Sequence, residues 1–278
     1  MLSFIILTAR NTVIAGGFIR YKEFSDAVEY FGPLNITIPP LPFKVYGTGA
    51  VYIDGTIYNC GGYNVNLDIS TACYKYNLAA NSGSWEKFTD VSGISIPQPV
   101  VAYDDFFWYF TRIITQVPVN GSSVSTFDWS FGRGGCAVAN GSHTVLIQSN
   151  NTTVLMNANP RTPTSWTTFA TLNFAFEGSA CLWLGNTIYV TGGTGEDPIY
   201  PNVTQLINTA TFEVTLGAEL PVGVVSHRMG VIDGNPAVFG GSSNGDTFST
   251  IYVYNNCTWS LSDLSLPQGL SSFGSVTF

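Results

Sequence analysis

Charge is scarce in this chain. Only 10% of its 278 residues are Asp, Glu, Lys or Arg, where about a quarter is usual. Lysine occurs four times, arginine six times and histidine twice, against 18 acidic residues, for a net charge of −8. No basic patch is available to neutralise phosphates, which excludes a nucleic-acid partner. No C-x-x-C pair occurs among the five cysteines, which removes the common zinc and dithiol-redox motifs. No Gly-rich phosphate loop with a lysine is present. No apolar run approaches membrane-spanning length, so no membrane insertion is expected. The opening residues lack a basic n-region, and the apolar run 4–7 is too short for a signal peptide, so 2–8 reads as a strand. Periodic helix signals are missing throughout. No motif calls for a cofactor or a metal.

Abundant features are apolar residues (45%), glycine (29) and small polar side chains. That composition supplies a core and excludes a charge-rich disordered chain. A Gly-Gly pair ends a short apolar run four times, at Gly16-Gly17, Gly61-Gly62, Gly192-Gly193 and Gly240-Gly241. The intervals are 45, 131 and 48 residues, and the long one has room for two more copies. Phe106-Phe-Trp-Tyr-Phe110 and His143-Thr-Val-Leu-Ile147 fit there, giving six copies.

Each copy is preceded by another apolar run and a tight turn, such as Asp54-Gly55, Asn140-Gly141, Gly185-Asn186 or Asp233-Gly234. Such pairs favour two-residue hairpins. A third run follows, carrying Tyr30, Tyr76, Phe127 or Tyr254, and then a Trp (Trp85, Trp129, Trp166, Trp259), with Phe212 standing in once. Each unit therefore holds four short strands, A to D. Four antiparallel strands repeated six times at about 45 residues describe an all-β, six-bladed propeller. The units fall at 1–45, 46–95, 96–131, 132–175, 176–225 and 226–278, in one domain over 1–278. The residues 270–278 read as a further strand A expected to pair near the first blade. A truncated seven-bladed ring is the alternative.

At these residues the sequence resembles the kelch repeat family, whose pattern is Gly-Gly, a spaced Tyr and then a Trp. The best copies are Gly61-Gly62 with Tyr76 and Trp85, and Gly240-Gly241 with Tyr254 and Trp259. Arg133 and Arg228 match the arginine common ahead of the first kelch strand. The resemblance implies a kelch-type propeller of the galactose oxidase central-domain kind. No Gly-His or Trp-Asp signature points instead to WD40 repeats.

The resemblance implies a non-enzymatic binding module that recognises a protein or glycan through its loop face. One alternative is a propeller enzyme of the galactose oxidase or epimerase kind, although no local motif matches the oxidase copper site. Another is a cytosolic kelch adaptor. The B–C loops of such a ring would be 18–25, 63–70, 111–123, 194–203 and 242–250. Their contact set would be Arg20, Tyr21, Tyr63, Asp68, Glu196, Asp197, Tyr200 and Asp246.

Cys60 and Cys73 fall on neighbouring strands of one blade and are expected to form a disulfide. Cys136 and Cys181 are expected to be buried without bonding, and Cys257 to be a free or intermolecular thiol. His143 and His227 read as turn or loop residues. N-glycosylation sequons stand at Asn35, Asn120, Asn140, Asn150, Asn151, Asn202 and Asn256. A disulfide and sequons together point to an extracellular or secretory-pathway protein, with a cytoplasmic location as the alternative.

Overall fold

The computed structural model describes residues 11–19, 23–33, 36–78, 80, 83–91, 99–110, 113–128, 134–149, 151–159, 161, 165–196 and 199–278. The proposed strand 2–8, Arg20, Tyr21, Asn35, Trp129, Arg133, Asn150 and Asp197 lie outside them. The described residues form an all-β ring of six blades. No helix among them is long and apolar enough to cross a membrane.

Blade 2 shows the unit. Strand A, Gly49–Ile53, turns at Asp54-Gly55 into strand B, Thr56–Cys60; strands C, Ala72–Asn77, and D, Glu86–Asp90, follow. Asp54 and Gly55 both have positive φ (44° and 79°), as a two-residue hairpin requires. Blade 3 contains Val100–Ala102, Phe106–Phe110, Ile113–Pro118 and Ser125–Asp128. Blade 4 contains Gly134–Ala139, Thr144–Gln148, Thr153–Asn157 and Thr167–Thr171. Blade 5 contains Ala180–Leu184, Thr187–Thr191, Thr204–Asn208 and Val214–Leu216. Blade 6 contains Arg228–Ile232, Asn235–Phe239, Thr250–Asn255 and Thr258–Ser265.

Blade 1 closes the ring. Its strands B and C are Thr12–Phe18 and Phe24–Phe31, and its strand A is Gly274–Thr277 from the far end of the sequence. Thr12 pairs with Thr277 and Val13 with Val276, as the sequence led us to expect. The outer place in blade 1 is taken by residues 41–45. Leu41 and Val45 donate their amides to the carbonyls of Asp26 (2.7 Å) and Ser25 (3.1 Å) without building a regular ladder.

The core is six apolar clusters, one at each blade–blade interface. Strand Phe106–Phe110 shows why its five residues are all large. Phe107 and Tyr109 pack toward blade 2, while Phe106, Trp108 and Phe110 pack toward blade 4. Side chains alternate across a strand, so a strand buried on both faces reads as a continuous apolar run.

Blade 3 corrects one expectation. Residues 113–118 are its strand C, so 111–123 is not one long loop. Phe127 consequently sits on strand D, not on strand C. The β-branched residues Ile114, Thr115 and Val117 pair directly with strand B.

The Gly-Gly pairs form corners. All eight glycines have positive φ, from 54° to 126°. The amides of Gly17, Gly193 and Gly241 donate to Val45 (2.8 Å), Val224 (2.8 Å) and Leu270 (2.7 Å), on the connection leaving for the next blade. The residue after each pair bonds the connection arriving from the previous blade. These pairs are Phe18 with Ser271, Tyr63 with Tyr46, Thr194 with Glu177 and Ser242 with Val225. One corner thus fastens three successive blades. A Cβ at Gly16 would stand 2.8 Å from the Val45 carbonyl oxygen, so the close approach excludes a side chain.

Trp85, Trp166 and Trp259, with Phe212 in blade 5, are arms to the preceding blade. Trp85 packs on Tyr76 (5.5 Å between ring centres) and donates Nε1–H to the Pro39 carbonyl (2.8 Å). Trp259 packs on Tyr254 (4.9 Å) and donates to Thr204 Oγ1 (3.0 Å) and the Ala218 carbonyl (3.2 Å) of blade 5. Trp166 meets Phe110 of blade 3, and Phe212 meets Phe169 of blade 4. Each aromatic body fills the wedge between blades, and the indole N–H groups of Trp85 and Trp259 find acceptors there.

Cys60 and Cys73 are directly paired across strands B and C and are disulfide-bonded, with Cα atoms 4.0 Å apart. Cys136 and Cys181 are bonded too, against expectation. The reason is geometric. The A strands of adjacent blades converge at the ring axis, which brings these Cα atoms to 5.9 Å, within bridging range. Cys257 is free and exposed. Two disulfides fit an oxidising compartment.

Candidate functional site: the loop face and the central channel

In a meander blade the B–C loops and D–A connections emerge on one face, and the A–B and C–D turns on the other. The loop face carries the expected contact residues, but not as one cluster. Tyr63 and Asp68 belong to blade 2, Glu196 and Tyr200 to blade 5 across the ring, and Asp246 to blade 6. Asp246 lies in a small ribbon in which Ser242–Ser243 pairs with Asp246–Thr247.

Tyr63 has the richest surroundings. It stacks on Tyr46 (5.3 Å, 21° between planes), and Tyr46 in turn contacts Phe24 (4.7 Å) and Phe18 (5.8 Å). Burial and the neighbouring Tyr63 hold the Tyr46 hydroxyl above the usual phenol range. The loop beyond Tyr63 is a tight structure tied by one side chain. Asn64 Oδ1 accepts from the amides of Asn66 (2.9 Å) and Asp68 (3.1 Å), and Asn64 Nδ2 donates to Asp68 Oδ2 (3.4 Å). Leu67 is left-handed, with φ of 67°. The turn turns apolar side chains outward: Val65 is 61% exposed, Leu67 53% and Ile69 49%. The aliphatic cluster and Tyr46 were not among the residues the sequence singled out. The signal was available, since three aliphatic residues alternate with polar ones inside an expected loop.

The second feature is the channel along the ring axis. A cavity of about 450 Å³ is lined by the A strands of all six blades. At its turn-side end Tyr52 stacks on Phe278 (3.9 Å), and Trp183 lines the wall nearby. A shallower recess on that mouth is bordered by Tyr103, Asp54 and Asp104.

Strand A begins the same way in the four blades that carry Gly-Gly. A bridge residue is followed by a left-handed residue: Gly47, Gly178, Ser226 or Ser272, with φ of 72°, 68°, 56° and 52°. A buried residue comes next: Thr48, Ser179, His227 or Phe273. The fourth position is Gly49, Ala180, Arg228 or Gly274, each paired with the strand B residue just before Gly-Gly.

His227 is therefore a core residue and not the loop histidine expected. It is fully buried, and its Nε2 shares a hydrogen bond with Thr191 Oγ1 of blade 5 (2.8 Å). Desolvation, with Arg228 beside it, pushes its pKa down to about 3, so the ring is neutral at physiological pH. Arg228 donates Nη1–H to the His227 carbonyl (3.2 Å). Burial lowers its pKa to about 10, which leaves it charged. His143 lies in the A–B turn of blade 4, with Nδ1 against Ser142 Oγ (2.8 Å).

Among the described residues no three His, Cys, Asp or Glu side chains converge as a metal cluster. Asn120, Asn140, Asn151 and Asn256 are exposed, whereas Asn202 is half-buried and its Nδ2 donates to Glu219 (3.1 Å).

No family model matches the sequence, and no curated protein matches it. The fold does have solved neighbours. A structure described as "Structure of YjhT" aligns with a TM-score of 0.73 over 86% of this chain and 89% of that one, at 13% identity. At that identity the likeness is one of fold.

Proposed function

We propose that the protein is a kelch-type binding module whose loop face engages a protein partner, in an extracellular or luminal compartment. The observation that carries this reading is the blade 2 loop. Side chains of Val65, Leu67 and Ile69 face water on a turn fixed by Asn64, beside the stacked pair Tyr46 and Tyr63. Ordered aliphatic and tyrosine side chains make good contacts because little conformational freedom is lost on binding. Asp68 at the end of the turn supplies a polar rim. The disulfides and exposed sequons support the compartment.

The test places a photo-crosslinking amino acid at position 67 on the loop face or at position 210 on the opposite face, in secreted protein. Adducts of one defined mass from position 67 alone, lost when Val65 and Ile69 are changed to Ser, are expected. Equal labelling from both positions, or none from 67, refutes the reading.

A further inference from the structure

The two disulfides stand in different surroundings, and the surroundings decide what each can do. Exchange requires a thiolate to reach one of the two sulfurs. Cys60 and Cys73 are fully buried in the apolar cluster between blades 2 and 3. Cys136 and Cys181 instead both line the channel cavity. Cys136 is 8% exposed and belongs to the apolar cluster between blades 4 and 5, while Cys181 packs at its edge and is more open. Access therefore favours Cys181 as the sulfur that is attacked.

The channel also limits what can arrive. Its wall is built by the A strands of all six blades, so the bond lies inside the ring. A cavity of about 450 Å³ admits a small organic molecule. A folded protein is far too wide to enter it. At the bond the wall is low: Gly135 and Ala137 flank Cys136, and Ala180 and Leu182 flank Cys181. Small neighbours let a compact thiol come alongside.

Independently of the loop-face reading, we propose that the Cys136–Cys181 bond is a size-selected exchange site for low-molecular-weight thiols. The small thiol loses its proton to solvent, and its thiolate attacks Cys181 Sγ. The Cys136–Cys181 bond breaks as the new S–S bond forms. Cys136 leaves with the electron pair as a thiolate and takes up a proton. One disulfide replaces another, so no outside oxidant or reductant is consumed. The adduct on Cys181 then stands in the channel, and blades 4 and 5 lose the covalent tie between their A strands. The reverse step is intramolecular, between residues whose Cα atoms are 5.9 Å apart. Cys136 attacks Cys181 Sγ, expels the small thiolate and restores the tie.

Glutathione is the probe, on folded full-length protein carrying Cys257→Ser to remove the exposed free thiol. Samples quenched with acid over time are alkylated and mapped by peptide mass analysis. Early samples should carry one glutathione on Cys181 beside an alkylated Cys136. Cys60–Cys73 should open slower by about tenfold or more. Thioredoxin, a protein dithiol, should leave the channel bond closed in folded protein and open it once urea unfolds the chain. In Cys136→Ser the adduct that glutathione disulfide forms on Cys181 should persist after free glutathione is removed, because the resolving thiol is gone. The proposal is overturned if the bond stays closed, if it opens with no Cys181 adduct at any time, or if glutathione is found first on Cys136. It is overturned equally if Cys60–Cys73 opens as fast, or if thioredoxin works as well as glutathione on folded protein. A Cys136→Ser protein that does not fold leaves the other measurements decisive, since they use the native pair.

Discussion

A glycine with positive φ and foreign backbone at contact distance is constrained twice over, and Gly192 has both constraints. Its φ is 54°, and an added Cβ would collide with the Val224 carbonyl and the His227 ring. Gly121 has φ of 74° but nothing within 4 Å. Gly121→Ala should therefore cost about 1–2 kcal/mol, the left-handed penalty alone. Gly192→Ala should cost roughly 3 kcal/mol or more, since a rigid carbonyl must also move. Urea unfolding of the two variants separates the terms.

His227 yields a prediction about acid. Its folded pKa of about 3 lies below the ordinary 6.5, so below pH 6.5 the unfolded chain takes up a proton that the folded protein refuses. The stability associated with the neutral ring is complete above pH 6.5. It falls as the pH drops toward 3, by on the order of 5 kcal/mol in all. Denaturant midpoints measured from pH 7 to pH 4 should decline more steeply for the wild type than for His227→Gln. Much at this scale was legible, because Gly-Gly and the Tyr–Trp pairs recur in the sequence. The burial of His227 was not, because it depends on the entrance to strand A lying against Thr191 of the neighbouring blade.

At the scale of the element, the two disulfides do different work. Cys60 and Cys73 join strands of one blade and are both fully buried. Cys136 and Cys181 join two blades, at a spacing of 45 residues, and line the channel, with Cys181 partly open. Brief treatment of folded protein with a small reductant, then alkylation and peptide mass analysis, should label Cys136 and Cys181 before Cys60 and Cys73. Constraining a 45-residue loop is worth about 4 kcal/mol by chain entropy, so the Cys136→Ser, Cys181→Ser protein should unfold earlier. This bond eluded the sequence reading because it depends on two A strands converging at the axis. Blade 3 was misread for another reason. Its strand C is followed by Asn120, Gly121 and two serines, and those turn residues drew the whole stretch into a loop.

At the scale of the whole molecule, surface chemistry differs between the faces. Among the described sequons, Asn120, Asn140 and Asn256 stand exposed on the A–B and C–D turns, and Asn151 stands exposed on a B–C turn. In a eukaryotic secretory host, glycopeptide analysis should find these four occupied. Asn202, with its amide held by Glu219, should be largely unmodified. Glycans so placed leave the blade 2 loop uncovered. The six-fold plan was readable from period and turn chemistry, but the way the loop residues disperse around the ring was not. Tyr63 of blade 2 and Tyr200 of blade 5 stand on opposite sides of the axis.

The pairing of Thr12 with Thr277 also bears on how the ring is made. During synthesis blade 1 emerges first, with the inner edge of Thr12–Phe18 bare, and its partner leaves the ribosome only after the other five blades. An unpaired inner edge is a place where another chain can add. Blades 2 to 6 can stack in order as they appear, each on the one before. The nascent propeller is thus an open arc until residues 274–277 have emerged. It becomes a ring in a single late event, so a stalled or shortened chain leaves a sticky arc and not a smaller ring.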